Sequence, residues 1–287
     1  MAVKKLEIYD YEEEYNKKIE REEAFEDINI NGSYTYVKKT ITSGSIIEVE
    51  IYPAWNKNNK IRNEKKNRST IEQEKINKKN KVKNFIRLVN TNFIEGDLYV
   101  TLTYQDKYLP NEEEARRDIT NYLNKIKRYR KKAGLEEIKY IYAISFENDT
   151  IGSKKVRIHH HLIINKMDRD IVEKLWTKGR SDARKLQKDE NLFEGVARYI
   201  VNQSNKRIGH SRNLKKPKIT IDRTTLTKRK VENLAMNETL HKNYFEKKYS
   251  KCRYIESTTY KSDNWPGIYI YAKLLKMKEG KTNDDET

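Results

Sequence analysis

Apolar and polar positions alternate at two periods along this chain, and the order of those periods outlines an architecture. From Leu98 to Tyr104 the apolar set Leu98, Val100, Leu102 and Tyr104 opposes Tyr99, Thr101 and Thr103, the period of a strand with one buried face. Residues 112–132 repeat instead at helical spacing. Ala115, Ile119, Leu123, Ile126 and Ala133 share a stripe, Pro110 and Asn111 open it, Glu112, Glu113 and Glu114 fill its first turn, and Gly134 closes it. Strands are expected at 139–147 and 155–165, a short helix at 168–176, and a helix at 189–204 packed through Leu192, Phe193, Val196, Ala197, Ile200 and Val201. Within 156–165, Val156, Ile158, His160, Leu162 and Ile164 point one way, and Arg157, His159, His161 and Ile163 the other. Within 140–147, bulky Tyr140, Tyr142, Ile144 and Phe146 oppose the smaller set Ile141, Ala143, Ser145 and Glu147.

The flanks are less periodic. Residues 4–28 are Glu-rich and read as a helix or an arm; 33–52 read as two strands joined at Thr42-Ser43-Gly44; and Trp55–Lys83 is a Lys/Asn-rich stretch expected to be a solvated helix. After Thr224 comes a polar, helix-like stretch, then a strand at 268–275. The fold class expected is α+β: an antiparallel sheet with helices on one face and an open second face, carrying N- and C-terminal extensions. The corresponding division is 1–80 (accessory), 81–225 (core domain) and 226–287 (an extension packing on the core).

Composition narrows the partners. The 287 residues carry a formal charge of +18, and the first 30 hold 5 basic against 10 acidic side chains, so the body carries +23. A field of that sign and size favours a polyanion, with nucleic acid the commonest candidate, over a small-molecule substrate. No apolar run is long enough to span a bilayer, and MAVKKLEIYDYEEEY has no apolar signal core, so a cytoplasmic protein with no membrane partner is expected. The single cysteine, Cys252, excludes a disulfide framework and CxxC-type metal or redox sites.

The smaller, more polar strand face carries the candidate chemistry. His159 and His161, at i and i+2, have Cβ atoms roughly 6–7 Å apart and can reach one cation. With Glu147 they would make a His/His/carboxylate set suited to Mg²⁺ or Mn²⁺, with Zn²⁺ the weaker match. A pair of plain surface histidines would have the same spacing. Only 5 histidines occur in the chain, however, and three adjoin here. His160 falls on the apolar face and reads as a packed core residue. In the 189–204 helix, Tyr199, Asn202, Gln203 and Lys206 lie on the stripe opposite the packing face.

Taken together, LYVTLTY (98–104), VRIHHHLIIN (156–165) and VARYIVNQSNK (196–206) resemble, in order and spacing, the three motifs of the HUH endonucleases. Within that superfamily the resemblance is to the single-tyrosine rolling-circle replication initiators of plasmids and phages, over roughly residues 80–225. The resemblance implies His159, His161 and Glu147 as metal ligands and Tyr199 as nucleophile. It also implies nicking of single-stranded origin DNA to a 5′-phosphotyrosine and a free 3′-OH, and work alongside a host helicase and polymerase. The family often places a Lys one turn after the Tyr; Asn202 and Gln203 stand there, and Lys206, a turn further on, is the substitute. Thr101, Thr103, Lys178, Arg180, Arg198, Asn202, Arg212, Lys215 and Lys216 are candidate DNA contacts. Relaxases, which place the Tyr near the N-terminus, and single-tyrosine transposases share the chemistry. A basic nucleic-acid-binding protein without catalysis is the alternative from another class.

Overall fold

The computed structural model describes residues 34–55, 71–145, 158–202, 208–236, 238–261 and 267–277. They form an α+β protein with two five-stranded antiparallel sheets. In chain order the elements begin with β1 (Tyr34–Ser43) and β2 (Ile46–Trp55). Next come α1 (Ile71–Asn92), β3 (Leu98–Thr103), α2 (Glu112–Lys132), β4 (Tyr140–Ser145), β5 (His159–Ile164), α3 (Arg169–Lys174), β6 (Ser181–Lys185), α4 (Glu194–Asn202) and β7 (Ile208–His210). The series ends with β8 (Lys218–Asp222), α5 (Lys228–Ala235), α6 (Glu238–Lys248), β9 (Cys252–Lys261) and β10 (Ile268–Lys276). The described residues fall into two compact units. One, central in the sequence, lies within 71–216; the other joins the flanking segments 34–55 and 217–277.

This division differs from the expected boundaries at 80 and 225. The hairpin and the C-terminal stretch, expected as separate extensions, share one sheet of order β8-β1-β2-β10-β9. β10 pairs β2 from Leu275↔Ile46 to Ile270↔Ile51, and β8 pairs β1 from Lys38↔Asp222 to Thr42↔Lys218. The physical reason is that β1 and β2 make only a hairpin, which buries too little surface alone. With strands from the far end of the chain it gains a core: Tyr36, Val49, Ile51, Ile270, Ala272 and Leu274, closed by Val231, Leu234 and Phe245 from α5 and α6.

The central unit has sheet order β6-β3-β5-β4-β7. One face packs on α2, with Leu98, Val100, Leu102, Tyr140, Tyr142, Ile144, Leu162 and Ile164 meeting Ala115, Ile119, Tyr122, Leu123 and Ile126. The helix has the bounds its sequence signals imply. Asn111 accepts from the Glu114 N–H while Glu114 accepts from the Asn111 N–H, both at 2.9 Å, a complete capping box. At the far end Gly134 takes φ 66°, and Leu135 N–H donates to the Arg130 carbonyl, the left-handed stop that glycine permits. On the opposite sheet face α4 packs against α1 and reaches β4. That face is covered at the end where Ile141, Ala143 and Ile163 are buried.

Two strands of this sheet, and β8 and β9 of the other, lie outside the elements the sequence predicts. β6 has a single buried residue, Ala183, and exists through pairing with β3; β7 is three residues long; and β9 alternates too weakly to stand out from the helix-like stretch before it. The helix expected at 189–204 starts later. Leu192 has φ 64°, and Asp189 and Leu192 bridge one another, so the chain turns before α4 begins at Glu194.

Candidate functional site

Strand register builds the site. His161 lies between Thr101 of β3 and Ala143 of β4, and His159 between Thr103 and Ser145. The small residues Ala143 and Ser145 leave room for two imidazoles on the same face. The rings stand edge to face, 4.7 Å between centroids. His160 points to the other face, fully buried, its Nε2 2.8 Å from the Tyr104 hydroxyl and its ring 5.8 Å from Trp176. It is the packed core histidine its strand position implies.

His161 is 2 % exposed and tightly held. Tyr99, two residues along β3 from Thr101, stacks on it at 5.9 Å and 9°, with its hydroxyl 2.6 Å from Nδ1. The remaining nitrogen, Nε2, is buried and has no hydrogen-bond partner among the described residues. Burial pushes the His161 pKa down to about 4, and charge on His159 acts in the same direction, so the imidazole is neutral at pH 7. Burial also raises Tyr99 to about 12, which keeps its phenol neutral. A neutral ring with one nitrogen engaged and the other bare is the state in which histidine ligates a metal. His161 therefore fits a cation, and His159, on the same face, supplies a second imidazole. Among the described residues no three His, Cys, Asp or Glu side chains converge as a ligand set, and Glu147 lies outside the described residues.

α4 brings Tyr199 over this face. Its ring meets that of His161 edge to face at 5.1 Å, yet it stays 48 % exposed, on the helix stripe opposite buried Ala197, Ile200 and Val201. Beside it runs a groove of about 700 Å³ lined by Tyr99, Thr101, Thr103, Arg180, Asp182, Arg184, Gly195, Val196 and Tyr199. The groove is open to solvent along Arg180 and Arg184, so a linear chain can lie in it with its anionic groups near the guanidiniums.

The sequence-derived set divides in space. Thr101, Thr103, Arg180 and Tyr199 line the groove, beside His161. Arg198 points along α4 to an ion pair with Glu194, and Asn202 is exposed at the end of that helix. Lys178 does not join them: its ammonium sits 2.6 Å from buried Asp118 of α2, in a second cavity of about 410 Å³ shared with Lys107 and Arg117. Arg212, Lys215 and Lys216 follow β7 and line neither cavity; Asn92 brackets the Lys215 backbone, accepting from its N–H at 2.7 Å and donating to its carbonyl at 2.8 Å. Lys206 lies outside the described residues. Sequence reasoning put Tyr99 on the correct face but gave it no role, and missed Asp182 and Arg184. The pairing of β6 with β3 that brings in those two is invisible in a polar pentapeptide.

Fold and site define an α+β protein with a two-histidine strand platform under a tyrosine-bearing helix. Residues 97–207 match the family model for replication-associated proteins of the ORF2 type, a span that holds both histidines, Tyr199 and the groove. This segment is thus similar to replication-associated proteins. No curated protein and no solved structure matches the chain. Among the described residues, no helix is long and apolar enough to cross a membrane.

Proposed function

We propose that the central unit initiates replication by nicking single-stranded origin DNA through Tyr199 and later rejoining the strand. The observation that carries this reading is the solvent-accessible Tyr199 ring packed 5.1 Å from buried His161, at the wall of a groove with arginines along it. A free phenol titrates at pH ~10 and is a weak nucleophile until its proton leaves and the phosphate charge is offset. In the proposed step Tyr199 Oη bonds to phosphorus while the bond to the 3′ oxygen breaks. The phenolic proton passes to solvent and the departing oxygen takes one up, leaving a 5′-phosphotyrosine and a free 3′-OH. One phosphodiester replaces another, so the reverse reaction rejoins the strand with no nucleotide consumed, in keeping with the absence of a GxxxxGK(S/T) motif.

His159 and His161, with Glu147, are the residues that would hold Mg²⁺ or Mn²⁺, whose charge would stabilise a phosphate oxygen in the transition state. Tyr99 fixes the His161 ring. Thr101, Thr103 and Arg180 line the path of the strand backbone, and Arg184 adds a cation shared with Asp182 at 2.9 Å. The free 3′-OH makes a host polymerase and helicase the fitting partners, in the cytoplasm. A single-tyrosine transposase would use the same groove. It differs in joining the cut end to a second DNA site, which a strand-transfer assay with two labelled oligonucleotides reads.

The test is incubation of the full chain with single-stranded oligonucleotides spanning the candidate origin. An SDS-resistant adduct is expected with Mg²⁺ or Mn²⁺, absent in Tyr199→Phe and reduced at least tenfold in His161→Ala. Adduct surviving in Tyr199→Phe would overturn the nucleophile assignment, and adduct indifferent to chelator would overturn the metal role. Salt-sensitive binding with no adduct under any condition would favour the non-catalytic alternative.

A further inference from the structure

The flanking unit contains a cationic cluster that its own carboxylates leave unbalanced. Lys38 of β1 reaches Asp222 of β8, its register partner, at 2.7 Å, and Thr225 Oγ1 at 3.3 Å. The Asp222 carboxylate is fully used: besides Lys38 it accepts from the N–H and hydroxyl groups of both Thr224 and Thr225. The end of α6 lies beside the same strand, where Tyr249 and Thr40 share a hydrogen bond of 3.2 Å. Lys248 precedes that tyrosine. Its pKa is lowered, first by the partial burial of the ammonium of this otherwise exposed side chain and then by the neighbouring Lys38 ammonium, with Lys230 adding to the repulsion.

α5 adds a second, independent imbalance. It begins after the Thr227 cap with Lys228, Arg229 and Lys230, and has no acidic residue in its first turn. Cations at the positive end of a helix oppose its dipole, so this sequence destabilises the helix it starts. Arg229, Lys230 and Lys248 are exposed, and none forms an ion pair among the described residues. Repulsion held in place at two neighbouring elements is relieved by a bound anion.

The aromatic residues nearby indicate which anion. Bases of a single strand are gripped by open aromatic faces. Here the Tyr34 ring is covered by the Lys228 ammonium at 3.9 Å, while Tyr244 and Tyr249 pack against the core. Among the described residues the cluster therefore offers charge without a stacking platform, the character of a surface that contacts backbone phosphates of a duplex and leaves the bases unread. We propose that Arg229, Lys230 and Lys248, backed by the Lys38–Asp222 pair, form a docking surface for the phosphate backbone of double-stranded DNA. It lies in a unit that the family model does not cover and does not depend on Tyr199 chemistry.

The test uses the full chain and a fluorescent 20-base-pair duplex, with the corresponding single strand and inorganic phosphate as competitors, between about 50 and 200 mM salt. Lys230→Gln/Lys248→Gln replaces two exposed side chains and removes repulsion at both elements; it should melt at or slightly above the wild-type temperature. Each lost phosphate contact removes about 0.9 from the slope of log affinity against log salt, so a decrease of about 1.8 for the duplex is expected. Single-strand binding should change by less than twofold, and Tyr199→Phe should leave duplex affinity intact. An unchanged slope, or equal loss for duplex and single strand, would overturn the proposal. Competition by millimolar inorganic phosphate as effective as by duplex would overturn it too, assigning the cluster to the free ion. If no adduct ever forms but the duplex slope falls as stated, the docking surface stands and the nicking reading fails alone.

Discussion

The hydroxyl of Tyr99 decides what His161 can do. A histidine ring has two nitrogens, and the partner of one sets the state of the other. With Nδ1 engaged at 2.6 Å and the ring stacked, Nε2 is the nitrogen left for a ligand, and rotation of the imidazole is blocked. Tyr99→Phe keeps the stack and removes the bond. Mn²⁺ affinity should then fall ~10–100-fold by titration, and because Nδ1 is left buried without a partner the central unit should also lose about 1–3 kcal/mol in denaturant melts. His160 and His161 also make stability depend on pH. Burial holds them at about 3 and about 4, below the ~6.5 of an unfolded histidine. An unfolded chain therefore takes up protons that the native one refuses. Stability is full above pH ~6.5 and declines as pH falls towards 4, by at most ~1.4 kcal/mol per pH unit for each ring. Denaturant titrations from pH 7 to 4 should show that positive slope, and a flat profile would contradict the burial of the pair. Alternation alone made the histidine faces legible, because a strand forces successive side chains apart. The role of Tyr99 was not legible, since its neighbour across the ladder is set by register between segments 62 residues apart.

Among the elements, α2 shows what local signals can specify. Its cap, stripe and stop lie within the helix and its immediate neighbours, and the structure uses each except Ala133, which sits exposed at the C-cap instead of on the buried stripe. Asn111→Ala should cost about 1 kcal/mol of central-unit stability in denaturant melts, because one half of the capping box is lost. β6 is the opposite case. Its position depends on the loop before it, where a Cβ on Gly179 would come 2.2 Å from the Thr103 carbonyl oxygen and 2.8 Å from Tyr104 Cα, both backbone. That close approach is also where Trp176 Nε1 donates to the same carbonyl at 2.9 Å. Gly179→Ala should therefore destabilise the unit by about 1–3 kcal/mol and shift Trp176 fluorescence, and it should widen the arginine side of the groove. A wild-type melting curve for this variant would show that the loop yields easily. β6 and β7 escaped the sequence because each carries a single apolar side chain, and only the finished sheet gives them partners.

At the scale of the molecule, charge and chemistry are divided between units whose segments interleave along the chain. The positive body expected from composition covers both, but the histidines, Tyr199 and the groove belong to the central unit, where the family match also falls. Deleting residues 217–287 would remove β8, β9 and β10 and leave β1–β2 as a bare hairpin. Such a truncation should still give a cooperative melt for the central unit, while residues 34–55 lose amide-exchange protection. The same interleaving gives synthesis an order. β2 leaves the ribosome about 220 residues before β10, its partner. At roughly 5–20 residues per second that is a wait of ~10–40 s. During that interval the central unit can close on itself, while the buried side chains of Ile46, Val49 and Ile51 have no sheet to enter. Nascent chains of this protein would thus carry an unpaired apolar hairpin until the final strand is made, and chaperone demand in the cell should fall on the first strands translated.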